Sequence, residues 1–380
     1  MSNTLIQTSD TIPVTVLTGF LGSGKTTVLA RLLKNPQLKK TAIIINEFGE
    51  IGLDHDLLQR SDEDLILLAN GCVCCTVRGD LVAAFHQLEQ QRAAGVAVYD
   101  RVVIETTGLA DPAPILHTMM SDAFVTAHYR LDQVIATLDA VNAMATLDQH
   151  SEAVKQAAVA DRILLTKTDL AGAETLGTLR ERIAALNPAA PLIDVLNGEV
   201  SVEDFFGHAA FDPAGKTARV QDWLRIEAYE TENDHHGHDH HDDEHHHHEE
   251  HGGVQVDRNR HDDRIRAYSV IRDEPISWAG FSAWLEMISK MRGDDLLRVK
   301  GIVNVLEHPD RPVVIHGVQH VFHPPVFLDQ WPGNDHRTRL VFITRDIDRE
   351  DIDATLQVFE NRRASRRPPP LPLPQTATDS

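Results

Sequence analysis

Three short stretches of this chain have residue types and spacings suited to nucleotide chemistry. The first, GFLGSGKT (19–26), fits G-x-x-x-x-G-K-[ST] and stands between an apolar run and a helix-like segment. In such a loop the backbone N–H groups converge on phosphate oxygens, and the helix N-terminus adds its positive dipole end. Gly19, Gly22 and Gly24 permit the tight turn, and Ser23 and Thr27 belong to the same binding segment. Lys25 is placed to contact the β- and γ-phosphates and the Thr26 hydroxyl to ligate Mg²⁺. The second stretch, VVIETTGLADP (102–112), puts Glu105 at a strand end, where it can hold the Mg²⁺ shell directly or through water. Gly108 follows, with an N–H able to sense the γ-phosphate. The third, TKTD (166–169), offers Asp169 as acceptor for the N1–H and exocyclic amine of guanine, donors that adenine does not present together. The Lys167 stem can lie over the base plane.

Each stretch has a plainer reading: a Gly-rich turn, a polar strand end, a solvated Lys and Asp in a turn. The three occur in chain order at the ends of expected parallel strands, where ligands bind in open α/β sheets, and this favours the nucleotide reading.

A fourth feature is of another kind. Cys72, Cys74 and Cys75 are all the cysteines of the 380-residue chain, and they fall within GCVCC (71–75). Zn²⁺ takes four tetrahedral N, S or O ligands, so C-x-C-C supplies at most three. The remainder must be water, a carboxylate, a histidine or a partner protein. NEFGEIGLD (46–54) carries the nearest carboxylates, Glu47 and Glu50. An incomplete shell suits a site that accepts and surrenders a metal. Buried apolar thiols or a redox couple are the alternatives.

The elements that must position these residues are legible as apolar runs. Residues 14–19, 42–47, 65–70, 101–106, 133–139 and 162–167 are short, rich in Ile, Val and Leu, and lack alternation, as strands buried on both faces do. Amphipathic stretches at 81–91 and 174–186 lie between some of them. The expected fold class is therefore α/β, a doubly wound and mostly parallel sheet ending near Leu224. Residues 232–253 are low complexity, with no core-forming residues. From about Arg264, IRAYSVI, FSAWLEMISKM, VKGIVNVLE, PVVIHGVQHVF and TRLVFITR predict a smaller α+β domain. The expected boundaries are 1–228 for the nucleotide domain, 229–263 for a disordered linker, 264–362 for the C-terminal domain and 363–380 for a Pro-rich disordered tail.

A formal net charge of −21 argues against nucleic acid or an anionic membrane as partner. The N-terminus lacks the pattern of a signal peptide, and no apolar run approaches the roughly 20 residues that span a bilayer. Clustered thiols in such a chain are expected to be cytoplasmic.

GFLGSGKTT, INEFGEIGLD, GCVCCTV, ETTGLADP and TKTD, in this order, closely resemble the CobW family of metal-handling GTPases. RVKGIVNVLEHPDRPVVIHGVQHVF, followed by Trp331 and RLVFIT, looks like that family's C-terminal domain, so the resemblance covers about residues 12 to 358. It implies a P-loop GTPase that uses GTP and Mg²⁺ and supplies zinc or cobalt to client metalloproteins. It also implies that Cys72, Cys74 and Cys75 are the metal ligands. The family's guanine motif usually begins with Asn, where this chain has Thr166; Asp169, the main discriminator, is kept.

Ten histidines, His235, His236, His238, His240, His241, His245, His246, His247, His248 and His251, are interleaved with eight Asp or Glu in residues 232–251. Imidazole suits Zn²⁺, Ni²⁺, Cu²⁺ and Co²⁺, so the tract can collect metal beside a tighter thiolate site. The alternative is a solvated acidic linker. His316, His320 and His323 are weaker candidates, since such residues are more often satisfied structural histidines.

The expected mechanism is a GTP-gated metallochaperone with slow intrinsic turnover, because no arginine finger or base stands out. GTP orders residues 46–54 and the loop after Glu105, the thiolates gather the metal, and a client docks across the C-terminal domain. The competing expectations are a metal buffer built on the His tract, cobalt handling for cobalamin synthesis, and a P-loop kinase or ATPase. The oligomeric state is not legible.

Overall fold

The computed structural model describes residues 11–46, 66–69, 77–206 and 264–360. The nucleotide domain runs β1 (Ile12–Gly19), α1 (Lys25–Leu32), β2 (Thr41–Asn46), β3 (Ile66–Ala69), α2 (Val77–Ala93), β4 (Arg101–Thr106), α3 (Ala113–Ser121) and α4 (Ala123–His128). It continues through β5 (Tyr129–Asp139), α5 (Ala143–Gln149), α6 (Ser151–Val159), β6 (Arg162–Thr166), α7 (Ala173–Leu186), β7 (Leu192–Val195) and α8 (Val202–Phe206). Among the described residues the seven strands form one sheet in the order β3-β2-β4-β1-β5-β6-β7, every pair parallel.

Successive apolar residues of one strand serve different cores, which is why the runs show no polar alternation. Ile44, Val102 and Ile104 pack under α2 and α3. Ile43 and Val103 face the other way, onto Val28, Leu29 and Leu32 of α1. A third core holds β5 and β6 against α5, α6 and α7. The chain starts at the centre of the sheet, works to one side through β4, then to the other from β5 onward. The strand order therefore reverses at β1, and the crevice at its carboxyl end is the natural ligand site.

The C-terminal domain contains β8 (Ile265–Arg272), α9 (Trp278–Arg292), β9 (Leu296–Val303), β10 (Val313–Val318), β11 (Val321–Phe322), β12 (Val326–Phe327), β13 (Thr338–Arg345) and α10 (Arg349–Glu360). Its antiparallel sheet has the order β11-β10-β9-β13-β8, with β12 paired to β10. Ser277 caps α9 by accepting from the Gly280 N–H at 3.1 Å. Trp284 fills the space between α9 and the sheet, and its indole N–H donates to Thr355 of α10.

β9 is buried on both faces. Val299 and Val303 belong to the domain's own core. Arg298 and Lys300 point the other way and donate to Asp161, the residue just before β6. Asp161 Oδ2 also accepts from the Val134 N–H of β5 at 2.9 Å. The three charged side chains are 3% (Arg298), 8% (Asp161) and 9% (Lys300) exposed. Burial alone would raise the Asp161 carboxyl, but Arg298 and then Lys300 more than offset it and hold it far below the usual carboxylate range. Leu297 and Ile343 complete the core around α6, and Val318 that around α3. His117 of α3 is within hydrogen-bond distance of the Val318 carbonyl, at 3.0 Å.

Some expectations shift. The strand expected at 133–139 begins at Tyr129: Arg130 and Asp132 interrupt its apolar pattern, Arg130 still pairing with Pro13 of β1 and Asp132 falling at a bulge between Leu131 and Gln133. The half-exposed β7 was not anticipated. Glu47, Glu50, the three cysteines, the His tract, the 229–263 linker and the 363–380 tail lie outside the described residues. No described helix is long and apolar enough to cross a membrane.

Candidate functional site

The loop at the end of β1 has the geometry that GFLGSGKT predicts. Gly19 has φ 141°, and a Cβ there would sit 2.3 Å from Thr137 Oγ1, so glycine is required. Gly24, at φ 93°, caps α1 from the left-handed region, and Gly22 lies at φ 71°. The Lys25 ammonium reaches back over the loop to the carbonyls of Gly19 (2.8 Å) and Phe20 (3.2 Å), which puts its charge at the loop's mouth. Ser23 contributes backbone rather than side chain: its N–H donates to Phe20 O, and its hydroxyl is tied to Thr137 Oγ1 at 2.6 Å. Thr27 is exposed on the first turn of α1.

The second stretch lies beside this loop as expected. The Thr26 hydroxyl donates to Glu105 Oε1 at 2.6 Å, across the β1–β4 pair. A hydroxyl and a carboxylate meeting at a phosphate loop are hard oxygen donors, the one or two protein ligands that Mg²⁺ takes when phosphates and water complete its shell. Thr106 is anchored by donating to Thr18 Oγ1 at 3.0 Å. Gly108 is pressed onto the phosphate loop: a Cβ there would lie 2.6 Å from Leu21 N and 2.7 Å from Leu21 Cα.

The third stretch forms the other end of the site. Thr166 donates to the Ser23 carbonyl at 2.7 Å, and so ties the strand end to the phosphate loop. Where the family usually has Asn, the Thr hydroxyl therefore makes a link between the two loops. Lys167 adopts φ 57° and donates to Asp139 at 2.7 Å and to Gly22 O at 3.0 Å, so its ammonium is held beside the phosphate loop. Asp169 is exposed in the short helical turn Thr168–Leu170. Replacing it with Asn should weaken GTP binding about a hundredfold, since an amide meets the guanine N1–H and amine with one acceptor and one donor in place of a charged double acceptor. Titration with GTP and xanthosine triphosphate checks this: the variant should gain for xanthine, whose second carbonyl accepts from the new amide.

Several site residues were not anticipated. Asp139 ends β5 and pairs Lys167. Burial would raise its carboxyl, but Lys167, Asn142 and the Val141 N–H hold it below the ordinary range. Its signal was a lone carboxylate closing a buried apolar run. Asn197 and Gly198 turn back at φ 52° and 77° beside Thr27 and Arg31, and the N-G pair after a strand was the available cue. Lys155 and Gln156 of α6 reach the loop after Glu105. Nothing in the periodicity of α6 marks them. A cavity of about 210 Å³ lies between Gly22 and Ser23 on one side and Asp139, Asn142 and Lys167 on the other.

The metal residues are only approached. Asn46, the last described residue before Glu47, pairs with Thr106, next to Glu105. Ala69, the last before the segment holding Cys72, Cys74 and Cys75, pairs with Ile45. Among the described residues no group of three or more His, Cys, Asp and Glu is placed to hold a metal. His316 and His323 are partly buried, and the desolvation lowers both imidazoles; the Arg298 charge depresses His316 further. His320 is exposed and sits 3.8 Å from Asp294.

The nucleotide-binding domain of the CobW/HypB/UreG family matches residues 13–194. The C-terminal domain of the cobalamin synthesis protein CobW matches residues 265–360. The zinc chaperone YjiA of Escherichia coli (strain K12) is 33% identical over 90% of this chain and 97% of its own length. The zinc chaperone CobW of Pseudomonas aeruginosa is 30% identical over 90% and 89%. The crystal structure of the Zn(II)-bound YjiA GTPase superposes with a TM-score of 0.64 at 28% identity, covering 92% of this chain and 99% of that one. With both domains matched in order on one fold, the chain belongs to the CobW family of P-loop GTPases.

Proposed function

We propose that this GTPase is a zinc chaperone: it binds Zn²⁺ through Cys72, Cys74 and Cys75, with Glu47 as a candidate fourth ligand, and passes it to a client metalloprotein under control of the GTP or GDP state. The observation that carries the reading is the strand order β3-β2-β4-β1. It brings the segment that starts at Glu47 and the segment that holds the cysteines out of the sheet at the same edge as Glu105 and the phosphate loop. The strand ends Asn46, Ala69 and Thr106 thus lie on three adjacent strands at the carboxyl end of the sheet, which supports the reading. The zinc-chaperone names of the relatives support zinc over cobalt as cargo.

In this reading Thr26 and Glu105 hold Mg²⁺, Lys25 and the loop N–H groups neutralise the phosphates, and Gly108 responds to the γ-phosphate. Asp169 selects guanine. Mg²⁺ held by Thr26 and Glu105 would supply positive charge against that of the phosphates. The His tract between His235 and His251 acts as an auxiliary collector of metal. If GTP tightens zinc binding, zinc must tighten GTP binding by the same factor.

Zinc affinity measured by chelator competition tests the proposal, using protein without residues 233–253. With Mg²⁺ and a non-hydrolysable GTP analogue it should be about tenfold tighter than with Mg²⁺ and GDP, about 1.4 kcal/mol of coupling. Cys72, Cys74 and Cys75→Ser should lose the site. Equal affinity in the two nucleotide states would sink gated delivery of zinc. Loss of all capacity on deleting the tract would favour a buffer.

A further inference from the structure

The loop after Glu105 must hold its shape against the phosphate loop, and the structure shows what holds it. Gln156 of α6 is wholly buried. Its Nε2 donates to two carbonyls of that loop, Gly108 O at 3.2 Å and Ala110 O at 3.0 Å. Next to it, Lys155 pairs with Asp111 at 2.6 Å, and Asp111 itself accepts from the Ala113 N–H at the start of α3. Both side chains therefore grip the four residues Gly108–Asp111 from one helix.

That helix is a firm mount. His150, just before α6, stacks on Phe20 of the phosphate loop with ring centroids 4.4 Å apart. Ala153, Val154, Ala157 and Ala158 sink into a core shared with Leu297 and Ile343 of the C-terminal domain. Immediately after α6, Asp161 is fixed by Arg298 and Lys300. One rigid element thus touches the phosphate loop, the Gly108 loop and the second domain.

We propose that Gln156 is a positioning residue for GTP hydrolysis: by holding the Gly108 and Ala110 carbonyls it aims the Gly108 N–H at the γ-phosphate position against Leu21. The argument is geometric. The Gly108 N–H shares a rigid peptide plane with the Thr107 carbonyl, and that carbonyl accepts from the Ala110 N–H at 3.2 Å, so holding Gly108 and Ala110 by their own carbonyls fixes the turn that presents the Gly108 N–H. Gly108 has no room to approach the phosphate loop more closely. Any loosening moves its N–H away from the γ-phosphate, and displacements of about 1 Å are known to cost about a hundredfold in rate.

The test uses the full chain in single-turnover GTP hydrolysis, with GDP affinity and thermal midpoint measured alongside. Gln156→Met keeps the volume and removes the donor. We expect the hydrolysis rate to fall about tenfold or more with GDP affinity within about twofold, because GDP lacks the phosphate that Gly108 reads. Gln156→Glu adds a readout that a packing role would not move. As a carboxylate it repels the two carbonyls; protonated, its O–H donates to one of them. Its rate should therefore rise as pH falls from about 8 to 6, a rise absent from Gln156→Met. A Gln156→Met protein with wild-type rate and midpoint overturns the proposal, as does a Gln156→Glu profile that matches the wild type. If Gln156→Met fails to fold, the half-exposed Lys155→Met decides: a slower rate at unchanged GDP affinity supports the proposal, and a wild-type rate overturns it.

Discussion

Gly108→Ala should lower GTP turnover by about a hundredfold or more while leaving GDP binding nearly intact. The expectation rests on space. A Cβ at Gly108 would lie within 2.8 Å of Leu21 N, Cα and Cδ2, and two of these are backbone atoms of the phosphate loop. Neither loop yields easily. Leu21 stands in a turn closed by the Ser23 N–H to Phe20 O bond, and the Gly108 loop is gripped by Gln156. The methyl group must push the Gly108 N–H outward, which removes a fixed donor from the place where γ-phosphate charge develops. The proposed GDP contacts, Gly19, Gly22–Thr27, Lys167 and Asp169, do not include Leu21, the residue that the methyl group meets. Multiple-turnover phosphate release together with GDP titration measures both halves. A turnover within a few-fold of the wild type would show that Gly108 does not read the γ-phosphate.

The second large effect concerns stability. Asp161→Ala should cost about 3–5 kcal/mol, because it removes the buried carboxylate that Arg298 and Lys300 both contact. Replacing the whole group by apolar residues of similar volume should cost far less, since no buried charge then loses a carboxylate. The pH dependence has a definite sign. The Asp161 carboxyl is depressed in the folded protein, so its contribution is complete above the unfolded carboxylate value, near pH 4. It is lost progressively as pH falls below that, toward the depressed folded value. Denaturant unfolding between about pH 3 and 7 should therefore show a smaller acid slope in Asp161→Asn than in the wild type. Matching slopes would mean the cluster is not linked to folding.

How legible these features were depends on how local their cause is. The phosphate loop needs glycines, a lysine and a hydroxyl at fixed offsets, and all of that is written in eight consecutive residues. The parallel strands were visible because burial on both faces imposes unbroken apolar runs. Thr166 read as a departure from the guanine motif, yet its hydroxyl meets the Ser23 carbonyl, a partner 143 positions away. Gln156 looks like any polar residue of a short helix until the fold brings Gly108 and Ala110 to it. Arg298 and Lys300, alternating with Val299 in β9, suit the solvent face of a sheet; only the docking of the nucleotide domain makes that face an interior. β7 escaped because its residues are half exposed and lack a full apolar run.

The shared cores around α3 and α6 and the Asp161 cluster bear on the stretch between Phe206 and Arg264. The two domains already recognise each other as partners in a complex would, so the covalent connection is not what holds them together. Closing a loop costs little more as it lengthens, about 0.6 kcal/mol for each doubling. Selection on residues 207–263 is thereby released from the work of holding the molecule together. That freedom explains how a tract as compositionally extreme as His235–His251 can be accommodated in the middle of a folded protein rather than at its end.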